Sequence, residues 1–194
     1  MAIIEDDART RLQRAALTLF REHGYDRTTA AEIAARAGVT ERTFFRHFTD
    51  KREVLFDGEA ILRAALTTAI AGAPTTLGPL DTLFLAFWSV VPRLEDNRSY
   101  SQPRHELIAA TPALHEREMA KMATLADSLA AALKVRGIGE VRAVLAARTG
   151  MVAFVQATIA WLDDPGPSLG ERLNLACREL KTLWTENDAA LERH

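Results

Sequence analysis

The 194-residue sequence has very few of the residues that build disulfide frameworks, metal sites and catalytic triads. Its one cysteine, Cys177, excludes a disulfide within the chain and fits a reducing compartment. The five histidines are scattered. His115–Met119 begins like a zinc-protease helix, but methionine stands where the second histidine would bind the metal. A Gly-rich phosphate loop is also missing, so an enzyme is disfavoured and neither a metal nor a cofactor is expected.

Long apolar runs, strand patterns and a basic leader are missing too. The longest apolar stretch, Gly150–Leu162, contains Gln156 and is too short to span a bilayer. The first seven residues lack a basic region followed by an apolar one, so no signal peptide is expected. The net charge of −2 gives no support for nucleic-acid binding, although residues 1–52 hold ten Lys and Arg against eight Asp and Glu. We expect a cytoplasmic protein with no membrane partner.

Alanine and leucine are abundant, and their spacing predicts an all-α fold of about nine helices. Valine and isoleucine rarely alternate with polar residues, so no strand is predicted. A capping box at Asp50–Glu53 is expected to open the fourth helix, which runs to about Ala71. The fifth helix is expected over about Leu80–Val91, ending before Pro92. The eighth is expected over about Glu140–Leu162.

Two short helices joined by the tight turn Gly38-Val39-Thr40 are the strongest signal in the sequence. The first begins at the capping box of Thr29 and Glu32, and Thr40 caps the second, Glu41–Phe48. Apolar residues occur where a helix-turn-helix needs its own core, which leaves Arg42, Thr43, Arg46 and His47 on the outer face. Such a helix can enter the major groove of DNA. Two core helices with a solvated charged face would give the same spacing.

The stretch from Thr28 to Phe56, TTAAEIAARAGVTERTFFRHFTDKREVLF, resembles the TetR family of bacterial transcriptional regulators. The similarity covers roughly residues 8–56. It implies a three-helix helix-turn-helix DNA-binding domain at residues 1–50, followed by a helical ligand-binding and dimerisation domain at 51–194. It also implies a homodimeric repressor that binds double-stranded operator DNA and is released by a small-molecule effector. A helical adaptor without DNA binding is the alternative.

The resemblance assigns roles to nine residues. Glu41, Arg42 and Thr43 match positions that read bases, and the resemblance puts Thr29, Thr40, His47 and Lys51 on phosphates, with Arg46 also expected at the DNA backbone. The two capping threonines can also act structurally alone, and Glu41 can simply stabilise its helix. Many family members have tyrosine where this chain has Phe45. The phenyl ring loses the phosphate bond and keeps either packing or a contact with a thymine methyl group.

The predicted eighth helix is apolar almost all round, and the ninth carries leucines spaced by four and three residues. The resemblance implies that the two helices form the dimer interface, whereas an ordinary intrachain core would show the same pattern. The expected interface residues are Val152, Val155, Ile159, Leu173 and Leu180.

Large apolar side chains with a few polar neighbours occur in the predicted helices five to eight. Such a set suits a pocket for a small apolar or aromatic ligand, and the family analogy favours one; core filling is the alternative. The expected ligand-binding residues are Phe84, Phe87, Trp88, Tyr100, His105, Met119, Met122 and Gln156.

Overall fold

The computed structural model describes residues 7–164 and 166–191, with side chains described as far as Leu183. Within this range the chain is all-helical, as predicted, and contains no strand. The described residues form nine α-helices: α1 (Ala8–His23), α2 (Ala30–Arg36), α3 (Glu41–His47), α4 (Glu59–Gly72), α5 (Pro79–Asp96), α6 (Arg98–Ala110), α7 (Pro112–Val135), α8 (Glu140–Asp163) and α9 (Leu169–Leu191).

The start of the fourth helix was predicted wrongly. The Asp50 carboxylate does accept hydrogen bonds from the backbone N–H groups of Arg52 and Glu53, at 2.7 and 3.1 Å. The residues that follow form only a 3₁₀ turn, Glu53–Leu55, and α4 begins at Glu59. Val54, Leu55 and Phe56 are all buried. Packing of these three side chains into the first core, rather than the local capping interaction, determines the conformation of this segment.

Proline residues also fall inside helices. Helix α5 continues through Pro92 to Asp96 instead of ending at Val91, and α6 contains Pro103. A proline removes one hydrogen bond from the helical ladder, at a cost of about 3 kcal/mol. Val90 and Val91 are buried and Leu94 packs against the same core, so burial of this face offsets the lost bond.

Contacts divide the chain into two compact units. The first comprises the chain up to Glu59 together with Ser99–Met119, and the second comprises Ala60–Arg98 with the chain from Ala120 onward. The functional boundary expected between residues 50 and 51 stays a prediction, and it does not coincide with this structural division.

The first unit has one core, built by segments distant in the sequence. Leu12, Ile33 and Phe44 are fully buried there with Ile108 of α6 and Leu114 of α7. Two arginines bind the 3₁₀ turn from these later helices. The Arg104 guanidinium donates to the Leu55 carbonyl at 2.6 Å, and Arg117 Nε donates to the Glu53 carboxylate at 2.7 Å. Residues 99–119 are therefore part of the first unit's fold.

The second unit packs α8 against α5 and α9. Phe87 stacks on Phe154 with ring centroids 4.6 Å apart and meets Phe84 edge-on at 5.9 Å. Gly150 allows α5 and α8 to approach, because a Cβ there would lie 3.1 Å from Leu83. By length and composition alone, the 24-residue α8 could cross a membrane, whereas its longest apolar stretch was expected to be too short for this. Core helices of other proteins can be equally long and apolar, and α8 packs as a core helix.

Candidate nucleic-acid interface

The α2–turn–α3 segment is fixed by the local interactions that the sequence predicted. Thr29 Oγ1 accepts a hydrogen bond from the Glu32 N–H at 3.2 Å, and the Glu32 carboxylate accepts one from the Thr29 N–H at 2.7 Å. This backbone hydrogen bond lowers the pKa of Glu32. Gly38 has a φ of +69°, which other residues rarely adopt, and it turns the chain into α3. The two short helices are thus held together as a helix-turn-helix.

Helix α3 buries one side and exposes the other. Phe44 is fully buried, and Thr43 and His47 are half-buried. The outer side consists of Glu41, Arg42, Phe45 and Arg46, all exposed. Within the described part of the chain, the guanidiniums of Arg42 and Arg46 have no ion-pair partner. Two unpaired cations one helical turn apart can donate to guanine edges or to phosphates.

Thr29 and Thr40, the two threonines predicted to bind phosphates, both cap helices in the structure. The Thr29 hydroxyl takes part in the capping box, donating to the Glu32 carboxylate at 2.8 Å. Thr40 Oγ1 caps α3 by accepting from the Thr43 N–H at 3.2 Å, and the two threonine hydroxyls lie 3.0 Å apart. Both Thr29 and Thr40 remain exposed, so their second lone pairs stay available to a partner.

Two predicted phosphate contacts do not agree with the structure as it stands. Lys51 Nζ donates to the carbonyls of Tyr25, Asp26 and Thr28 at 2.8, 3.2 and 3.0 Å, which uses all three of its donors. The ammonium also lies 4.3 Å from the centroid of the Tyr25 ring. His47 Nε2 is buried, with no hydrogen-bond partner among the described residues. Tertiary packing therefore directs Lys51 inward and keeps His47 Nε2 from the surface.

The eight predicted ligand-binding residues are divided between the two units. In the second unit, Phe84 and Phe87 are buried in the core, Met122 packs against that core, and Gln156 is exposed. Trp88 is 37% exposed, and its ring covers Gly170, where a Cβ would lie 2.8 Å from the indole. Gln156 therefore does not line the core beside the phenylalanines, contrary to the expected grouping.

Tyr100, His105 and Met119 belong to the first unit. Met119 is 58% exposed, and His105 is half-buried. The Tyr100 hydroxyl is buried without a hydrogen-bond partner in the described part of the chain, and burial raises its pKa to about 12. These residues lie in the unit that carries α3.

The second unit has an open groove of about 430 Å³ at one end of α4 and α7. Its lining includes Ala71, Leu77, Ala132 and Arg136, and it includes none of the expected ligand-binding residues. The Arg136 guanidinium donates to the carbonyls of Ile70, Ala73 and Pro74 at 2.8–2.9 Å. Sequence spacing gave no signal for this arginine, because its partners lie more than sixty residues away.

One predicted dimer residue was assigned wrongly. Leu173 is fully buried inside the chain, where no partner could contact it. Val152 is 64% exposed, whereas Val155, Ile159 and Leu180 are half-buried. Val141 and Leu145 of α8 are 71% and 57% exposed, and Leu175 and Leu183 of α9 are exposed as well. The spacing of residues 141, 145 and 152 by four and seven marks one helix face, a signal that the sequence already contained.

Residues 12–57 match the family described as bacterial regulatory proteins, tetR family. The chain is 39% identical over 88 residues to the HTH-type transcriptional regulator TcmR of Streptomyces glaucescens. That alignment spans 45% of this chain but only 39% of the length of TcmR. This chain is also 29% identical over 160 residues to an HTH-type transcriptional regulator of Mycobacterium tuberculosis. That alignment covers 81% of this chain and 82% of the mycobacterial protein.

Solved structures support the same fold along most of the chain. The SmeT–triclosan complex superposes with a TM-score of 0.65 at 23% identity, covering 91% of this chain and 90% of SmeT. FadR of Thermus thermophilus superposes with a TM-score of 0.55 at 29% identity, covering 89% of this chain and 92% of FadR. That protein is a TetR-family transcriptional repressor solved in complex with lauroyl-CoA. The curated relatives are transcriptional regulators rather than enzymes.

Proposed function

We propose that this chain, whose residues 12–57 match the TetR family of bacterial regulatory proteins, is a DNA-binding transcriptional regulator of that family. More specifically, we propose a cytoplasmic repressor that a small apolar or aromatic ligand releases from its operator. The observation that carries the DNA-binding part is the outer face of α3. There two unpaired guanidiniums flank an exposed aromatic ring on a helix that its own caps and turn hold rigid. This face has the size and chemistry of a major-groove reader.

Selection of bound sequences from a random DNA pool tests this proposal. We expect a two-part site that contains guanine, because Arg42 can donate twice to a guanine edge, while Arg46 is expected at the DNA backbone. Arg42→Ala should cost about 1–3 kcal/mol of affinity for the selected site and relax the preference at one base position. A protein that enriches no sequence, or binds all sequences alike, would contradict the proposal and favour a helical adaptor.

We propose a homodimer that uses α8 and α9. The exposed stripe of Val141, Leu145 and Val152 supports this, because an apolar stripe on one helix face can be buried against the same stripe of a second copy. Two recognition helices in such a dimer would lie about one DNA turn apart, roughly 34 Å.

Sedimentation at micromolar concentration distinguishes interface from core. Val152→Glu should give a folded monomer, because the charge would be stranded in the interface. Leu173→Glu should unfold the chain, because Leu173 is a core residue. A wild-type monomer, or a Val152→Glu dimer as tight as wild type, would contradict this interface.

For the ligand, the support is the aromatic core of the second unit and the fatty acyl-CoA held by the related FadR. Phe87 contacts both Phe84 and Phe154, so a ligand can enter there only if these rings move apart. A ligand that binds such an opened state tenfold more tightly than the DNA-bound state would shift the equilibrium by about 1.4 kcal/mol.

The test uses lauroyl-CoA and an uncharged bicyclic aromatic as probes. Each is screened by thermal shift and then titrated against the protein–operator complex. We expect at least one to stabilise the protein and weaken operator binding, with Trp88→Ala reducing that response while leaving DNA binding unchanged. A probe that stabilises the protein without changing operator affinity would argue against release by that class of ligand.

A further inference from the structure

Phe45 is a large apolar residue that is exposed to solvent on the outer face of α3. The residue is 53% exposed, whereas the neighbouring Phe44 and Phe48 are buried. The ring meets Phe44 edge-on, with centroids 5.3 Å apart and an interplanar angle of 84°. Phe44 is itself packed against Phe48. Phe45 therefore projects outward from a fixed base, and packing against the core does not account for most of its surface.

The neighbours of Phe45 define what the ring can approach. Arg42 lies one helical turn before it and Arg46 directly after it, both exposed and without an ion-pair partner in the described residues. These cations would bring the ring against DNA, where phosphates and nearly all base edges are polar. A phenyl ring has no N–H, O–H or lone pair with which to replace the hydrogen bonds of a polar edge, so covering such an edge with it would cost free energy. The 5-methyl group of thymine is the apolar group that the major groove offers.

Building on the proposed function, we infer that Phe45 is a specificity-determining residue that reads the methyl group of one thymine in each half-site. The guanidiniums supply attraction and guanine contacts, and the ring adds discrimination against a pyrimidine that lacks the methyl group. The stretch of DNA read by α3 should thus combine guanine with a nearby thymine.

The expected effect follows from the size of one methyl group. Burying one such carbon contributes about 0.8 kcal/mol, which corresponds to an about fourfold change in affinity. Removing the methyl from one half-site should therefore weaken binding about fourfold. Removing it from both half-sites of a dimeric site should weaken binding about fifteenfold, since independent contributions multiply.

The experiment replaces each thymine of the selected site in turn by deoxyuridine, which removes only the methyl group. Affinities are measured for the wild-type protein, for Phe45→Ala and for a matched control, Leu85→Ala, which shortens an exposed apolar side chain of the second unit. Because Phe45 is exposed, its truncation leaves the core filled, and equal unfolding temperatures would verify that the variant is folded.

We expect one thymine per half-site at which deoxyuridine weakens wild-type and Leu85→Ala binding about fourfold but leaves Phe45→Ala binding unchanged. A loss of the same size in Phe45→Ala, or no sensitive thymine in the wild type, would overturn the inference while leaving DNA binding intact. Failure to enrich any sequence would instead refute the proposed function on which the inference rests.

Discussion

Replacing Lys51 by methionine distinguishes a structural lysine from one that binds phosphate. The ammonium makes three hydrogen bonds to the connector between α1 and α2 and lies over the Tyr25 ring. At about 1 kcal/mol net for each hydrogen bond, the variant should lose about 3 kcal/mol of unfolding free energy. In a chain of this size that loss lowers the unfolding temperature by about 6–12 °C. Methionine keeps most of the apolar stem, so the loss reports mainly on the ammonium.

The matched measurement is the salt dependence of DNA binding. A lysine that neutralises a phosphate contributes about 0.9 to the slope of log affinity against log salt. We expect Lys51→Met to leave this slope unchanged where the protein is folded, and Arg46→Ala to reduce it by about 1 without altering stability. A Lys51→Met protein with unchanged unfolding temperature and a reduced slope would show that the lysine leaves its carbonyl partners to bind DNA.

Three further outcomes follow from single contacts. The hydrogen bond from Thr29 lowers the pKa of Glu32, so the stability that this bond contributes is complete above the ordinary glutamate pKa and is lost as pH falls through the lowered value. The amide oxygen of Glu32→Gln accepts at every pH, so acid unfolding of this variant should begin at lower pH than in the wild type. Arg136→Met should lower the unfolding free energy by about 2–3 kcal/mol in urea titration, since several carbonyls at the end of α4 lose their donor. Burial raises the pKa of Cys177, so its alkylation by iodoacetamide at neutral pH should be slower than that of an unfolded control; equal rates would contradict this.

The sequence predicted well what depends on near neighbours. Thr29 and Glu32 are three residues apart, and Gly38 acts on its own backbone, so the caps and the turn could be recognised without knowledge of the rest of the chain. The outer face of α3 was predicted in part. Helical periodicity separates Arg42 and Arg46 from the buried Phe44, but Thr43 and His47, which were expected on the same face, are half-buried.

Contacts between distant segments could not be predicted in this way. Lys51 looked free for phosphate because its carbonyl partners, more than twenty residues earlier, come close only in the folded unit. Leu173 and Val152 belong to similar apolar patterns, but only the packing of α9 on α8 shows that the first is buried and the second exposed. The expected ligand set failed as a single group for the same reason.

The participation of α6 and the start of α7 in the first core has a consequence for synthesis on the ribosome. Ile108 and Leu114 complete the core around Ile33 and Phe44, and Arg104 and Arg117 bind the 3₁₀ turn. A nascent chain therefore cannot finish its DNA-reading unit when residue 59 leaves the exit tunnel, but only after about sixty more residues have emerged. The same dependence limits recombination between relatives. Exchanging the first 50 residues alone would join a helix-turn-helix to a foreign α6 and α7, so viable chimaeras should inherit residues 99–119 together with the N-terminal segment.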